Sequence, residues 1–246
     1  MLAACEILAR TETHDWVIQR LSREKRGLIL DVPAGTGALA IRLREMGFTV
    51  SCCDINPSLF SAQGVEMKKR DLNQTLPYLS GSYDFITCLE GLEHLENPFN
   101  AIREFSRILK PGGRLFLSLP NYLNIERRLR FLVTGLFSKV PSPKKLGKER
   151  FDNLWMLHLI PLTYPVLKLI LEHWGFQMVT VAKDKEKKKM RWLLPIVWAI
   201  QLYCFFWSEK KREEYHLKET LSPSLIMGGN TLILVAENRG SHREPT

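Results

Sequence analysis

The segment at residues 31–37 (DVPAGTG) puts a carboxylate, Asp31, at the mouth of a loop that carries Gly35 and Gly37. An apolar run enters this loop and helix-forming sequence leaves it, so backbone N–H groups can approach a ligand at a helix N-terminus. The spacing Gly35-x-Gly37-x-x-Ala40 also fits a dinucleotide fingerprint. The charge of Asp31 separates the two possibilities: beside the glycines it would repel a pyrophosphate and attract an ammonium group. Pro33 holds its own φ near about −65°, so that position needs no left-handed backbone.

Two more acids follow, each after a predicted strand. Asp54, followed by Ile55, can accept both hydrogens of a ribose diol. Asp71, followed by Leu72, closes the next run. Either acid alone is as readily a loop cap, but three in order after successive runs read as contacts to one ligand. Residues 88–98 (CLEGLEHLENP) then gather Leu89, Glu90, Glu93 and His94 in one loop. Two carboxylates and an imidazole can hold a divalent cation, which would acidify a hydroxyl and orient it. His94, and His158 before Pro161, are the candidate proton acceptors near neutral pH.

Positioning these groups takes alternating strands and helices. Residues 27–32 (GLILDV) read as a strand buried on both faces of a parallel sheet. A helix over 38–46 and strands over 48–53, 65–69 and 83–89 follow. Pro98 starts a helix running to 109, the Lys110-Pro-Gly-Gly113 turn stops it, and 114–119 is a fifth strand. A helix over 163–174 and strands over 176–182 and 231–236 complete the core, and residues 2–26 suit helical cover of a sheet edge. The alternation predicts a doubly wound α/β sheet, and the polar tail from residue 238 is expected to be mobile.

Composition agrees with one globular α/β domain: 246 residues, 45% hydrophobic and 25% charged. The five cysteines include no CxxC pair, and the N-terminus has neither a basic start nor an apolar run before Cys5. Both point to a reducing, cytoplasmic setting without disulfides or export. The formal charge of +9 is concentrated in two insertions. Residues 125–150 carry eight basic and two acidic side chains: Arg127, Arg128, Arg130, Lys139, Lys144, Lys145, Lys148 and Arg150 surround the apolar group Phe131, Leu132, Val133, Leu136 and Phe137. In the second, a basic run at 183–191 precedes WLLPIVWAIQLYCFFW at 192–207, and Lys210, Lys211 and Arg212 follow. The apolar run is shorter than the roughly 20 residues a spanning helix needs, and Pro195 interrupts its start. It fits an interfacial segment on an anionic membrane. The competing reading packs the insertions together as a lid or dimer interface. No nucleic-acid module is recognisable.

Residues 31–37 resemble the first motif of class I S-adenosylmethionine (SAM)-dependent methyltransferases, with Pro33 where that family has its first glycine. The run from Glu90 to His94 resembles the Glu-x-x-Glu-His signature of ubiquinone-biosynthesis O-methyltransferases, as do Lys110-Pro-Gly-Gly113 and Leu119-Pro-Asn121. The resemblance covers most of residues 27–123 and, loosely, 158–182. It implies a Rossmann-like, seven-stranded, mostly parallel sheet with helices on both faces and a C-terminal antiparallel strand, in one domain over 1–246 with insertions at 124–150 and 183–228. It implies SAM held by Asp31, Pro33, Ala34, Gly35, Thr36 and Gly37, with Asp54 and Ile55 at the ribose, Asp71 and Leu72 at the adenine, and Leu89 at the end of the fourth strand. In that branch the equivalents of Glu90, Glu93 and His94 are associated with a divalent metal such as Mg²⁺. In other methyltransferases the same acid orients the cofactor and the histidine packs or caps a helix. The expected activity is methyl transfer, at oxygen, to an amphipathic acceptor such as a lipid or quinone precursor, by a peripheral membrane protein. The alternatives are a soluble small-molecule methyltransferase and a cofactor-binding protein without catalysis; the intact loop and Asp54 argue against the last. Oligomeric state has no signature in the sequence.

Overall fold

The computed structural model describes residues 11–142, 144–145, 157–158 and 160–240. Leu2, Cys5, Ile7, Leu8, Lys148, Arg150 and the tail beyond 240 lie outside the described residues. In chain order the elements are α1 (Thr11–Leu21), β1 (Leu28–Asp31), α2 (Ala38–Glu45), β2 (Thr49–Asp54), β3 (Glu66–Lys69), β4 (Tyr83–Leu89), α3 (Pro98–Ile108) and β5 (Leu109–Pro120). There follow α4 (Ile125–Thr134), α5 (Tyr164–His173), β6 (Phe176–Lys183), α6 (Leu194–Phe205), α7 (Glu209–Glu214), α8 (Leu217–Thr220), α9 (Pro223–Ile226) and β7 (Thr231–Asn238).

The seven strands form one sheet in the order β3-β2-β1-β4-β5-β7-β6. β1 to β5 pair in parallel, and β7 runs antiparallel to both β5 and β6. Adjacent side chains on a strand point to opposite faces, and the burial follows that parity. Leu30, Ile86, Leu115, Leu117 and Leu234 join one core with Ala101, Ile102 and Phe105 of α3 and Leu167 and Leu171 of α5. Their strand neighbours Ile29, Phe85, Phe116 and Val235 join another with Val17 and Leu21 of α1 and Leu39 and Leu43 of α2. Strands apolar at consecutive positions therefore fill two helix-covered faces, as the unbroken run at 27–32 predicts.

Three boundaries differ from the sequence reading. β5 begins at Leu109, straight after α3, not at 114. Tyr83 pairs with Leu109 but Phe85 with Arg114, so the Lys110–Gly113 turn is a bulge within the strand. Asn238 is no mobile tail. It is buried, and its side-chain amide donates to the carbonyls of Ser106 and Leu109 at 2.9 and 3.0 Å. Pro195 lies in the first turn of α6 and does not break it, because the first turn needs no N–H from that residue.

The insertions share a small core of their own, built from Ile125, Leu193, Val197 and Ile226. Glu126 of α4 pairs with Lys187, and the Arg128 guanidinium donates to the Thr220 carbonyl. Asn121 and Asn124, both buried, fasten the exit of β5 to the chain before β7: Asn121 donates to Leu225 O at 2.8 Å and Asn124 to Gly229 O at 2.9 Å.

Phe116 sits fully buried in the middle of the sheet against Phe85, ring centroids 6.5 Å apart. Phe116→Ala is expected to lower the unfolding free energy by about 3–5 kcal/mol, read from urea denaturation as a fall in midpoint at unchanged slope.

Candidate active site

Crossovers run outward from the centre of the sheet, from β1 to β2 and β3 on one side and from β4 to β5 on the other. The chain leaves β1 and β4 in diverging directions and opens a crevice at their carboxyl ends, where α/β sheets place their ligands. A cavity of about 470 Å³ occupies this crevice, large enough for a small organic cofactor.

Asp31, Pro33, Ala34, Gly35 and Thr36 form its floor, with the first turn of α2. Asp31 is buried. One carboxylate oxygen accepts from Thr87 Oγ1 at 2.7 Å, and the other is buried without a partner. Burial pushes its pKa up to about 7; the Thr87 bond works against the shift and the Asp54 charge adds to it. Such a carboxylate fits an ammonium ligand, which would satisfy the orphaned oxygen and restore its charge.

Gly35 and Gly37 take positive φ, 52° and 83°, for different reasons. Gly35 lines the cavity. Gly37 does not, and a Cβ there would meet Ala62 Cβ at 2.5 Å and the Phe60 ring at 2.6 Å. It lets the 60–62 segment close over the loop and so positions the loop behind the ligand.

Asp54, Ile55, Asp71 and Leu72 line the far end. Asp54 accepts from Gly35 N and Asn56 N, each at 2.9 Å, so it clamps the glycine loop while forming the wall. Asp71 accepts from the Asn73 backbone N–H and side-chain amide at 2.9 and 3.0 Å. Both acids are loop caps and cavity walls at once.

Leu89, Glu90, His94 and His158 form the opposite side. Glu90 has φ 50°, a left-handed conformation rare outside glycine. Its N–H donates to Ser118 O and Oγ at 3.1 and 3.0 Å, and Ser118 Oγ donates to Glu90 Oε1 at 3.0 Å. His94 Nδ1 lies 3.0 Å from the Leu157 carbonyl oxygen. A carbonyl only accepts, so Nδ1 carries the proton and Nε2 is the basic nitrogen. The His94 and His158 rings meet edge to face, centroids 4.8 Å apart. Desolvation, then the neighbouring His94 and Arg127, hold the His158 pKa below the ordinary value. Glu93 does not line the cavity. It is fully buried with neither oxygen partnered, and burial followed by the Glu90 charge raises its pKa well above the carboxylate range. Ligand atoms of Glu93, His94 and His158 fall within 4.8 Å of one another, a grouping that replaces Glu90 of the sequence-derived trio with His158.

His14, from α1, also lines the cavity and was absent from the sequence reading. It is buried with Nδ1 unpartnered, and burial, then Arg42, pushes its pKa down to about 4. Its sequence signal was faint: a polar pair, Thr13 and His14, on the helix face that also buries Val17 and Leu21. Arg70, Asn73 and Leu95 complete the walls in the same unheralded way.

Two outcomes follow for binding of SAM or its demethylated product, read by calorimetry. An ammonium stabilises ionised Asp31, so affinity is expected to fall as pH drops through about 7, approaching roughly tenfold per pH unit below it. Asp31→Asn should weaken binding at pH 8 and flatten that slope. In the ligand-free protein the sign reverses. The folded state holds this proton more tightly than the unfolded chain, so the group's contribution to stability declines as pH rises from 3.8 to about 7. His14→Ala is expected to weaken binding roughly three- to tenfold with little change in melting temperature.

Comparison with known proteins agrees with this geometry. Residues 9–181 match the family model described as a methyltransferase domain. Ubiquinone biosynthesis O-methyltransferase of Dechloromonas aromatica (strain RCB) is 33% identical over 171 residues, covering 61% of this chain and 73% of that protein. The protein of that name from Pseudomonas paraeruginosa is 30% identical over the same shares. Among solved structures, a SAM-dependent methyltransferase from Archaeoglobus fulgidus superposes with a TM-score of 0.58 at 19% identity, covering 91% of this chain and 94% of that one. Phosphoethanolamine N-methyltransferase 2 of Haemonchus contortus, solved with SAM, gives 0.55 at 15% identity, covering 93% and 52%. With a family match over more than half its length, the chain belongs to the methyltransferase-domain family and is a SAM-dependent methyltransferase.

Proposed function

We propose that this enzyme transfers the methyl group of SAM to a hydroxyl oxygen of an amphipathic small-molecule or lipid acceptor, working as a peripheral protein on the cytoplasmic face of an anionic membrane. The observation that carries the choice of oxygen is the tautomer of His94. With Nδ1 donating to the Leu157 carbonyl, Nε2 is the basic ring nitrogen of a histidine that lines the cavity. The sulfonium is already an activated donor, so the protein's main task is to align acceptor and methyl group for in-line displacement. An amine nucleophile can shed its proton to water afterwards, whereas a hydroxyl gains from a base at the moment of attack. His94 Nε2 would accept the O–H proton of the acceptor, and SAM, when bound, would supply the methyl group and leave as S-adenosylhomocysteine. His158, kept neutral by its surroundings, is the second group able to receive the proton. The names of the two relatives add support for oxygen and suggest a quinone precursor as acceptor.

A divalent cation at the same place is a second reading, favoured by the unpartnered, buried carboxylate of Glu93. The residues fit: Glu93, His94 and His158 would hold the ion, and His94 Nδ1–H on a carbonyl is the usual outer contact of a ligating imidazole. Bound there, it would acidify the acceptor hydroxyl. Two imidazoles with one carboxylate suit Mn²⁺, Fe²⁺ or Zn²⁺ better than Mg²⁺. Full turnover after exhaustive chelation would end this reading without touching the first.

His94→Ala is expected to lower kcat by about 10²–10⁴ while calorimetric affinity for SAM stays within about twofold, the measure of a base that contributes only to the reaction. Unchanged turnover would remove His94 from the mechanism.

A further inference from the structure

Helix α6 buries a single narrow stripe. Leu193 just before it, then Val197 and Cys204, are buried, with Ile200 and Gln201 partly covered between them. On an ordinary surface helix the remaining positions would be polar. Here they are Ile196, Trp198, Leu202, Tyr203 and Phe205, continued by Phe206; Trp198, Leu202, Phe205 and Phe206 are between 61% and 77% exposed. That is an apolar surface facing water over most of the helix circumference, which in a soluble protein marks an interaction site.

The flanks identify the partner. Lys188, Lys189 and Arg191 precede the helix and Lys210 follows it, all exposed, with Glu186 the acid that Lys188 and Arg191 act on. Lys211 lies over the Trp207 ring with its ammonium 3.8 Å from the centroid. Trp192 and Trp207 bracket the helix, and Tyr203 and Tyr215 lie near its end, an arrangement that suits a headgroup layer. After the helix Lys210 and Lys211 alternate with the exposed Glu209, Glu213 and Glu214, whereas residues 185–191 are net cationic, and a second copy of the chain would bring that flank against its own image. An anionic surface meets it with opposite charge. Twelve residues of helix span about 18 Å, short of the roughly 30 Å hydrocarbon layer, and no described helix is long and apolar enough to cross a membrane.

We infer that α6 is the membrane-docking element, lying in the plane of an anionic bilayer with its buried stripe on the protein and its exposed side chains in the headgroup and acyl boundary. The small core formed by Ile125, Leu193, Val197 and Ile226 makes it a rigid extension of the fold, joined through α4 to the chain leaving β5 on the acceptor side. The inference rests on the membrane-facing reading above but not on the acceptor's identity.

Flotation of the full chain with vesicles tests it. Vesicles of phosphatidylcholine containing one third phosphatidylglycerol should carry the protein at low salt. Vesicles of phosphatidylcholine alone should carry roughly tenfold less. The double variant Trp198→Glu with Phe205→Glu should lose at least about tenfold of the binding, and Lys188→Glu with Lys189→Glu should lose the preference for anionic lipid. All four positions are exposed, so melting temperature and calorimetry with SAM should match the wild type and certify folding. A wild-type protein that stays unbound on anionic vesicles at low salt would overturn the proposal. So would a double variant that floats as well as the wild type, or a wild-type dimer that Trp198→Glu dissociates. Loss of flotation with intact SAM binding sinks the docking element and leaves the enzyme standing; absent SAM binding with intact flotation does the reverse.

Discussion

A carboxylate with one oxygen on a threonine and the other unanswered is costly in a protein interior, and Asp31 is held in that state by the sheet itself. Thr87 stands opposite it on β4, in register with it, and supplies the single bond. Protonation relieves the cost below about pH 7, and a cation in the crevice between the two strands would relieve it above. Several neighbouring groups shape the crevice around this carboxylate. Gly37 closes the loop from behind, Asp54 clamps Gly35 from the side, and α1 brings a neutral imidazole to the same cavity. Strand order decides that Asp31 lies at an open crevice, because only between β1 and β4 do the crossovers separate.

Across the crevice the chemistry is of a different kind. Glu90, Glu93, His94 and His158 form a cluster in which burial and like charge keep one carboxylate neutral and one imidazole unprotonated. Separated environments of this sort divide proton-accepting from proton-holding roles in a small space. The left-handed turn at Glu90 makes the division possible: it ties Glu90 to Ser118 of β5 and sends the chain into the short turn carrying Glu93 and His94. The two insertions then extend this acceptor side. They pack on one another through a few side chains and leave α6 bare outside that contact, so mutual packing and an exposed apolar face coexist in one substructure.

Legibility in the sequence differed sharply between parts of the molecule. The strands were readable because burial on two faces demands apolar residues at consecutive positions, a pattern internal to each segment. The strand-loop-helix at 31–37 was readable because two glycines follow an apolar run and helix-forming sequence comes next. The bulge at Lys110–Gly113 was mistaken for a boundary because a Pro-Gly-Gly turn has the same local chemistry whether it ends a strand or interrupts one. Asn238 was assigned to the tail for a similar reason: its amide is buried only because α3 and β5 present free carbonyls to it. His14 was missed because a lone histidine on a helix has no periodic signature.

What the order of residues determined by itself was the α/β alternation, the glycine loop between the first strand and the next helix, and two stretches that combine basic and apolar residues, since each depends on neighbours within a few positions. The tertiary structure alone decided which groups meet. His94 finds its carbonyl 63 positions away at Leu157, His158 takes the place beside Glu93 expected of Glu90, and one stripe of α6 is buried while the rest faces outward. Those outcomes follow from crossovers and packing that bring distant segments together, and no local pattern encodes them.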